Sequence, residues 1–136
     1  MKKLIITTLI LLAVAGINNL KAQCWNQITV SWTGDCVYPD DKTVYVVNLT
    51  IINECTTPSQ EVYNQSQILT TNNTSYTFCI QNQLCTNDQK EPCFKVIATC
   101  RKLMIDTGEL LCRDQKIEYK NCEELSDPFY LNLILE

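Results

Sequence analysis

Nine cysteines, Cys24, Cys36, Cys55, Cys79, Cys85, Cys93, Cys100, Cys112 and Cys122, fall within a chain of 136 residues, and all of them follow an N-terminal segment built for export. Met1-Lys2-Lys3 supplies positive charge, residues 4–14 form an apolar run broken only by Thr7 and Thr8, and Asn18-Asn19-Leu20-Lys21-Ala22 follows as a polar stretch ending at a small residue. A run this short falls below the roughly 20 apolar residues of a spanning helix and has the layout of a signal peptide. Cleavage is expected after Ala22, with Ala13-Val14-Ala15 as the alternative site, so residues 1–22 are assigned to the signal and 23–136 to one exported domain with no membrane-spanning segment of its own. Outside the cytoplasm thiols oxidise and disulfides persist, and a domain of this size gains much of its stability from them.

The cysteine spacing argues against metal or redox chemistry. No Cys-x-x-Cys occurs, and the chain has no histidine. Zinc knuckles, zinc ribbons and thioredoxin-like sites all need the short spacing. Structural bridges are therefore expected among Cys36, Cys55, Cys79, Cys85, Cys93, Cys100, Cys112 and Cys122, with Cys100 and Cys112 brought near each other by a hairpin. An odd count leaves one sulfur over. Cys24, close to the new N-terminus, is the candidate for a free, intermolecular or lipid-bearing thiol. Lys21-Ala22-Gln23-Cys24 is a poor lipobox, because bulky Gln23 stands where a small residue is needed.

Removing Lys2, Lys3 and Lys21 leaves eight basic against 15 acidic side chains, a net charge of −7. Such a surface has no counterion-release route to a phosphate backbone, so nucleic acid is excluded as an expected partner.

Apolar residues beyond Gln27 keep a period of two. Ile28, Val30 and Trp32 alternate with polar neighbours, residues 43–52 are apolar on both faces as in a central strand, and a weaker strand covers residues 61–68. Tyr76, Phe78 and Ile80 alternate, as do Phe94, Val96 and Ala98; Asp106-Thr107-Gly108 reads as a hairpin turn, and residues 116–120 as a further short strand with Ile117 and Tyr119 on one side. No amphipathic helix is expected. About seven short strands over roughly a hundred residues fit an all-β fold, an antiparallel β-sandwich stapled by disulfides.

Ile28-Thr29-Val30-Ser31-Trp32 resembles the B strand of fibronectin type III domains, Thr43-Val44-Tyr45-Val46-Val47 resembles their C strand, and Leu69 followed by Thr74-Ser75-Tyr76-Thr77-Phe78 resembles their leucine-to-tyrosine corner. The resemblance implies an immunoglobulin-like sandwich. If Tyr76 is the corner tyrosine, residues 94–100 form strand G and the remainder is an addition. If residues 94–100 are strand F, residues 116–120 are strand G, an arrangement that uses the whole chain.

The tail alternates again, with Phe129, Leu131, Leu133 and Leu135 against Tyr130, Asn132, Ile134 and Glu136. Such a strand either closes the sandwich at an edge or adds to a partner's sheet. Phe129, Leu131, Leu133, Leu135 and the N-terminal Trp25 are accordingly the candidate partner contacts. Trp25, Trp32, Tyr38 and Tyr63 would make an aromatic carbohydrate platform if exposed.

Catalytic parts are few. Without histidine the usual serine and cysteine triads lack their base. The carboxylate pairs Asp40-Asp41 and Glu123-Glu124 are sequence neighbours whose side chains diverge, and Asp35, Asp40 and Asp41 lack EF-hand spacing. No cofactor and no metal are expected. The chain is expected to be a non-enzymatic exported binding or structural module, an accessory of a bacterial cell-envelope complex located in the periplasm, on the outer surface or outside the cell. A small secreted effector, inhibitor or toxin is the alternative.

Overall fold

The computed structural model describes residues 23–34, 42–86 and 88–136. The expected signal peptide, Cys36, Tyr38 and the carboxylates Asp35, Asp40 and Asp41 lie outside them. The described residues form β1 (Asn26–Thr33), β2 (Thr43–Asn53), β3 (Gln60–Thr70), β4 (Ser75–Ile80), β5 (Phe94–Met104), β6 (Leu110–Lys120), α1 (Cys122–Ser126) and β7 (Phe129–Ile134). Two sheets result, ordered β3-β2-β5-β6 and β4-β1-β7. The four-stranded sheet is antiparallel throughout. In the other, β1 runs antiparallel to β4 but parallel to β7.

The alternation read from the sequence fixes which side chains go inside. Ile28, Val30 and Trp32 of β1, Val47, Leu49 and Ile51 of β2, Phe78 and Ile80 of β4, and Phe94, Val96 and Ala98 of β5 are buried between the sheets. Burying each of the larger ones contributes roughly 1.5–3 kcal/mol, so the β-sandwich expected from the pattern rests on ordinary hydrophobic packing. Residues 43–52 do lie in a central strand, flanked by β3 and β5.

The tail belongs to that core. Leu131, Leu133 and Leu135 are buried and Phe129 packs against them, so the four side chains offered as partner contacts close the sandwich instead. The physical reason lies in β1. Its edge away from β4 is unpaired until β7 aligns beside it, with Val30 opposite Leu131 and Trp32 opposite Leu133. Gly34 lets the ends of β1 and β7 meet: its φ is +131°, and a Cβ there would run into the backbone of Leu135, whose N–H donates to the Thr33 carbonyl at 2.8 Å.

A short helix, α1, precedes β7 where no helix was expected. Asn121 caps it, its side chain accepting from the Glu124 N–H at 2.9 Å while a Glu124 carboxylate oxygen accepts from the Asn121 N–H at 3.0 Å. That reciprocal pair is a capping box, legible in Asn121-x-x-Glu124. Buried Asn26 then ties α1 to β1, its amide donating to the carbonyls of Leu125 and Asp127.

Three bridges are described: Cys24–Cys79, Cys55–Cys93 and Cys85–Cys122, with Cα separations of 5.2, 5.2 and 5.8 Å. They span 55, 38 and 37 residues, and loops of that length are worth about 2–4 kcal/mol each by the chain-entropy account. Such a framework fits an oxidising compartment. Two expectations are corrected. Cys24 is not the odd cysteine, because the Trp25 N–H bonds to the Ile80 carbonyl and brings Cys24 against Cys79. Among the described residues the free cysteine is Cys100, buried in β5.

Cys100 also fails to bridge Cys112. Its partner across the ladder is Asp114, whereas Cys112 stands opposite Lys102, two places along. Diagonal neighbours on adjacent strands are about 7–8 Å apart, beyond the usual Cα span of a disulfide. Cys112 is itself disulfide-bonded.

Candidate binding surface

Of the sequence-derived candidates, Trp25 and Cys24 line an open depression of about 490 Å3 together with Asn26, Gln27, Ser126 and Pro128, and Tyr63 lines a smaller one of about 180 Å3 with Val62, Gln65 and Leu84. Trp25 is the exposed-aromatic candidate with the wider opening beside it. Its ring is half-buried against the core. Trp32 is almost fully buried and stacks at a tilt on Tyr45, with ring centroids 5.3 Å apart, so it takes no part in an exposed aromatic platform.

Cys100 holds no accessible chemistry either. Burial first, and the neighbouring Asp114 carboxylate second, push its thiol up to about 12. A thiol held so far from ionisation is a poor nucleophile.

The surface with the most unusual composition is one the sequence reading passed over, the outer face of the four-stranded sheet. Cross-strand register arranges its side chains in rows. Ile68, Val46, Arg101 and Arg113 form one row across β3, β2, β5 and β6. Toward the β5–β6 turn the next row holds Leu103 opposite Leu110; in the other direction come Thr99 opposite Gln115, then Ile97 opposite Ile117, then Lys95 opposite Tyr119. Ile68 is 66% exposed, Leu110 45%, Ile117 45% and Tyr119 50%. Large apolar side chains standing this far into solvent on both sides of a cationic row are costly for a free surface and useful for an occupied one.

Arg101 and Arg113 are directly opposed on adjacent strands, and both are exposed. Like charges in that position repel. Among the described residues neither guanidinium has a salt bridge or hydrogen bond. They line an open depression of about 450 Å3 together with Thr99, Asp114 and Gln115. Asp114 does not neutralise them by contact, since one of its oxygens accepts from the Gln115 N–H and the other from the Ile134 N–H, both at 2.7 Å.

The outer face of the three-stranded sheet is different in kind. There Thr29 and Thr77 share a hydrogen bond of 2.9 Å and the Ser31 hydroxyl donates to Asn132, so its polar groups satisfy one another. Its large exposed apolar side chains, Tyr130 and Ile134, both stand on the edge strand β7.

The arginine pair could have been suspected from the sequence only by placing both residues on one face. That needs the register of a hairpin whose second strand begins at Leu110, six residues before the strand read from periodicity at Lys116.

No family model matches the chain, and no curated protein matches it. Among solved structures it is similar to an alternative pilotin from the type II secretion system of Vibrio cholerae, with a TM-score of 0.44 and 14% identity over 81% of this chain and 96% of that one. Among the described residues no helix is long and apolar enough to cross a membrane.

Proposed function

We propose that this chain is a non-enzymatic exported binding module of immunoglobulin-like architecture, acting as an accessory subunit of a cell-envelope complex. The observation that carries the reading is the outer face of the four-stranded sheet, where two unpaired arginines sit between rows of exposed apolar side chains. Arginine and tyrosine framed by apolar contacts is the composition of protein interfaces. Each of its four strands has 11 residues. At about 3.4 Å per residue and 4.8 Å between strands the face covers on the order of 700 Å2, close to one side of a standard protein contact.

The strand order supports the immunoglobulin-like part of the reading. On this reading β1, β2, β5 and β6 correspond to strands B, C, F and G of that sandwich, and β7, beside β1, corresponds to strand A. Strand A is reached here from the far end of the chain and runs parallel to its neighbour.

Cell fractionation combined with amine-directed crosslinking of the full chain tests the proposal. Retention in the envelope in a crosslinked complex with another protein is the expected result. Recovery as free protein in the medium would favour the secreted effector or inhibitor, and turnover of sugar polymers by the purified domain would overturn the non-enzymatic reading.

A further inference from the structure

We propose that Arg101 and Arg113 form a clamp for a carboxylate carried on an acidic, extended segment of a protein partner, laid along β5 and β6 on the outer face of their sheet. The proposal rests on the reading of the domain as a binding module and names the chemistry of what it binds.

Two guanidiniums opposed across a ladder, with no acid paired to either, are in an unfavourable arrangement that an anion between them would turn into a favourable one. Arginine is suited to this because its planar fork takes a carboxylate through two parallel N–H···O bonds. Thr99 and Gln115 form the adjoining row and add neutral polar side chains to the same depression. Local charge favours an anion here: β5 and β6 carry Lys95, Arg101, Lys102, Arg113, Lys116 and Lys120 against Asp114 and Glu118, a basic pair of strands in an otherwise acidic chain.

The rows on either side decide between a peptide and a small free anion. Leu103 and Leu110 lie one row away on one side, and Ile97 and Ile117 lie two rows away on the other. From Leu103 to Ile97 is six residues of strand, about 20 Å at 3.4 Å per residue, the length of about seven residues of extended chain. A phosphate or sulfate would touch the arginines and leave these apolar rows in water. A peptide with an acidic residue flanked by apolar ones would cover both.

Nuclear magnetic resonance titration of the full exported domain tests this, reading the arginine Nε–H signals and the methyl groups of Leu110 and Ile117. The probes are the peptide acetyl-Val-Leu-Thr-Glu-Leu-Ile-amide, the same peptide with Gln in place of Glu, and inorganic phosphate. The acidic peptide is expected to shift both sets of signals and to bind at least roughly tenfold more tightly than its Gln counterpart, with affinity falling as salt rises. Arg101→Gln and Arg113→Gln should each remove most of that preference, and Arg→Lys should not restore it. Both sites are exposed, so these variants keep the fold, which their methyl spectra would show.

Equal binding of the two peptides, no binding of either, or peptide binding unchanged in the double variant would overturn the clamp. Phosphate shifting the arginines as strongly as the acidic peptide, with no methyl response to either, would make the site one for small anions and overturn the peptide assignment. Concentration-dependent self-association abolished in the double variant would identify the occupant as a second copy and overturn it likewise. Failure of the clamp is separable from failure of the module: a crosslinked envelope complex that survives in the double variant keeps the second and removes the first.

Discussion

The four-stranded sheet ends in two strands of equal length that meet their surroundings in different ways. β3 has no buried residue. Its outward polar side chains bond across to β2, where Asn48 donates to Asn64 and to the Ser66 hydroxyl at 2.9 Å, and the ladder breaks register between Ile51 and Ile52. A polar, bulged strand resists pairing with a stranger, so β3 can remain an open edge. β6 instead turns Asp114, Lys116, Glu118 and Lys120 toward β7. Asp114 accepts from the Ile134 N–H, Glu118 is held between Lys116 and Lys120 at 3.1 and 3.0 Å, and Lys120 lies 5.0 Å from the Phe129 ring centre. One edge is protected by its own composition. The other depends on a segment that returns to it from the other sheet.

That difference predicts where damage spreads. Leu133→Ala should have the largest effect, about 2–5 kcal/mol in denaturant unfolding, because Leu133 is buried opposite Trp32 and its loss weakens the strand that covers both β1 and β6. Hydrogen exchange should then rise in β6 as well as β7; a rise confined to β7 would show that β6 does not depend on its cover. Asp114→Ala should cost about 1 kcal/mol by leaving the Ile134 N–H without its partner. Asp114→Asn keeps an acceptor oxygen and should recover most of that loss, and equal destabilisation by the two variants would show that charge, rather than the hydrogen bond, joins β6 to β7.

The two edges were also unequally legible. β3 has little apolar alternation, yet its run of strand-compatible polar residues between turns placed it to within two residues at each end. In β6 the alternation shows only from Lys116, because Arg113, Asp114 and Gln115 interrupt any apolar period, and their pattern makes sense only once β5 and β7 stand on either side. Phe129, Leu131, Leu133 and Leu135 mark the tail as a strand, but periodicity reports that one face is buried and not what buries it. The same limit applies to the sulfurs. Spacing identified staples rather than metal ligands, whereas the identity of the leftover cysteine depended on whether β4 ends beside residue 24, a contact 55 residues away. Arg101 and Arg113 carry no sequence motif at all; only register makes them a pair.

Acid should loosen the covered edge before the open one. Partial burial pushes the Glu118 carboxyl up, but hydrogen bonds and charge from Lys120 and Lys116 outweigh it and leave the group below its ordinary value. A carboxyl depressed in the folded state contributes its stability in full above the unfolded value and loses it as pH falls through the folded one. The pair is partly solvated, so the contribution is under about 1 kcal/mol. Unfolding free energies of the wild type and Glu118→Gln should therefore differ at about pH 6 and draw together as pH falls below the ordinary glutamate range. A constant difference across that range would mean that the glutamine changes packing rather than charge.

The smallest effect is expected at the open edge, and it is the most informative about how that edge is kept. Ile68→Ser removes an apolar side chain as large as that of Leu133, but from a position 66% exposed on β3, and should change unfolding free energy by no more than about 0.5 kcal/mol. If β3 is self-sufficient, the change stays that small at every protein concentration. A loss above about 1 kcal/mol that grows with concentration would mean that a second copy covers Ile68 in the folded protein, since binding to the native state alone stabilises it by mass action. The edge would then be protected by association, and the contrast with β6 would reduce to a choice between covering the edge with the chain's own tail and covering it with a neighbour.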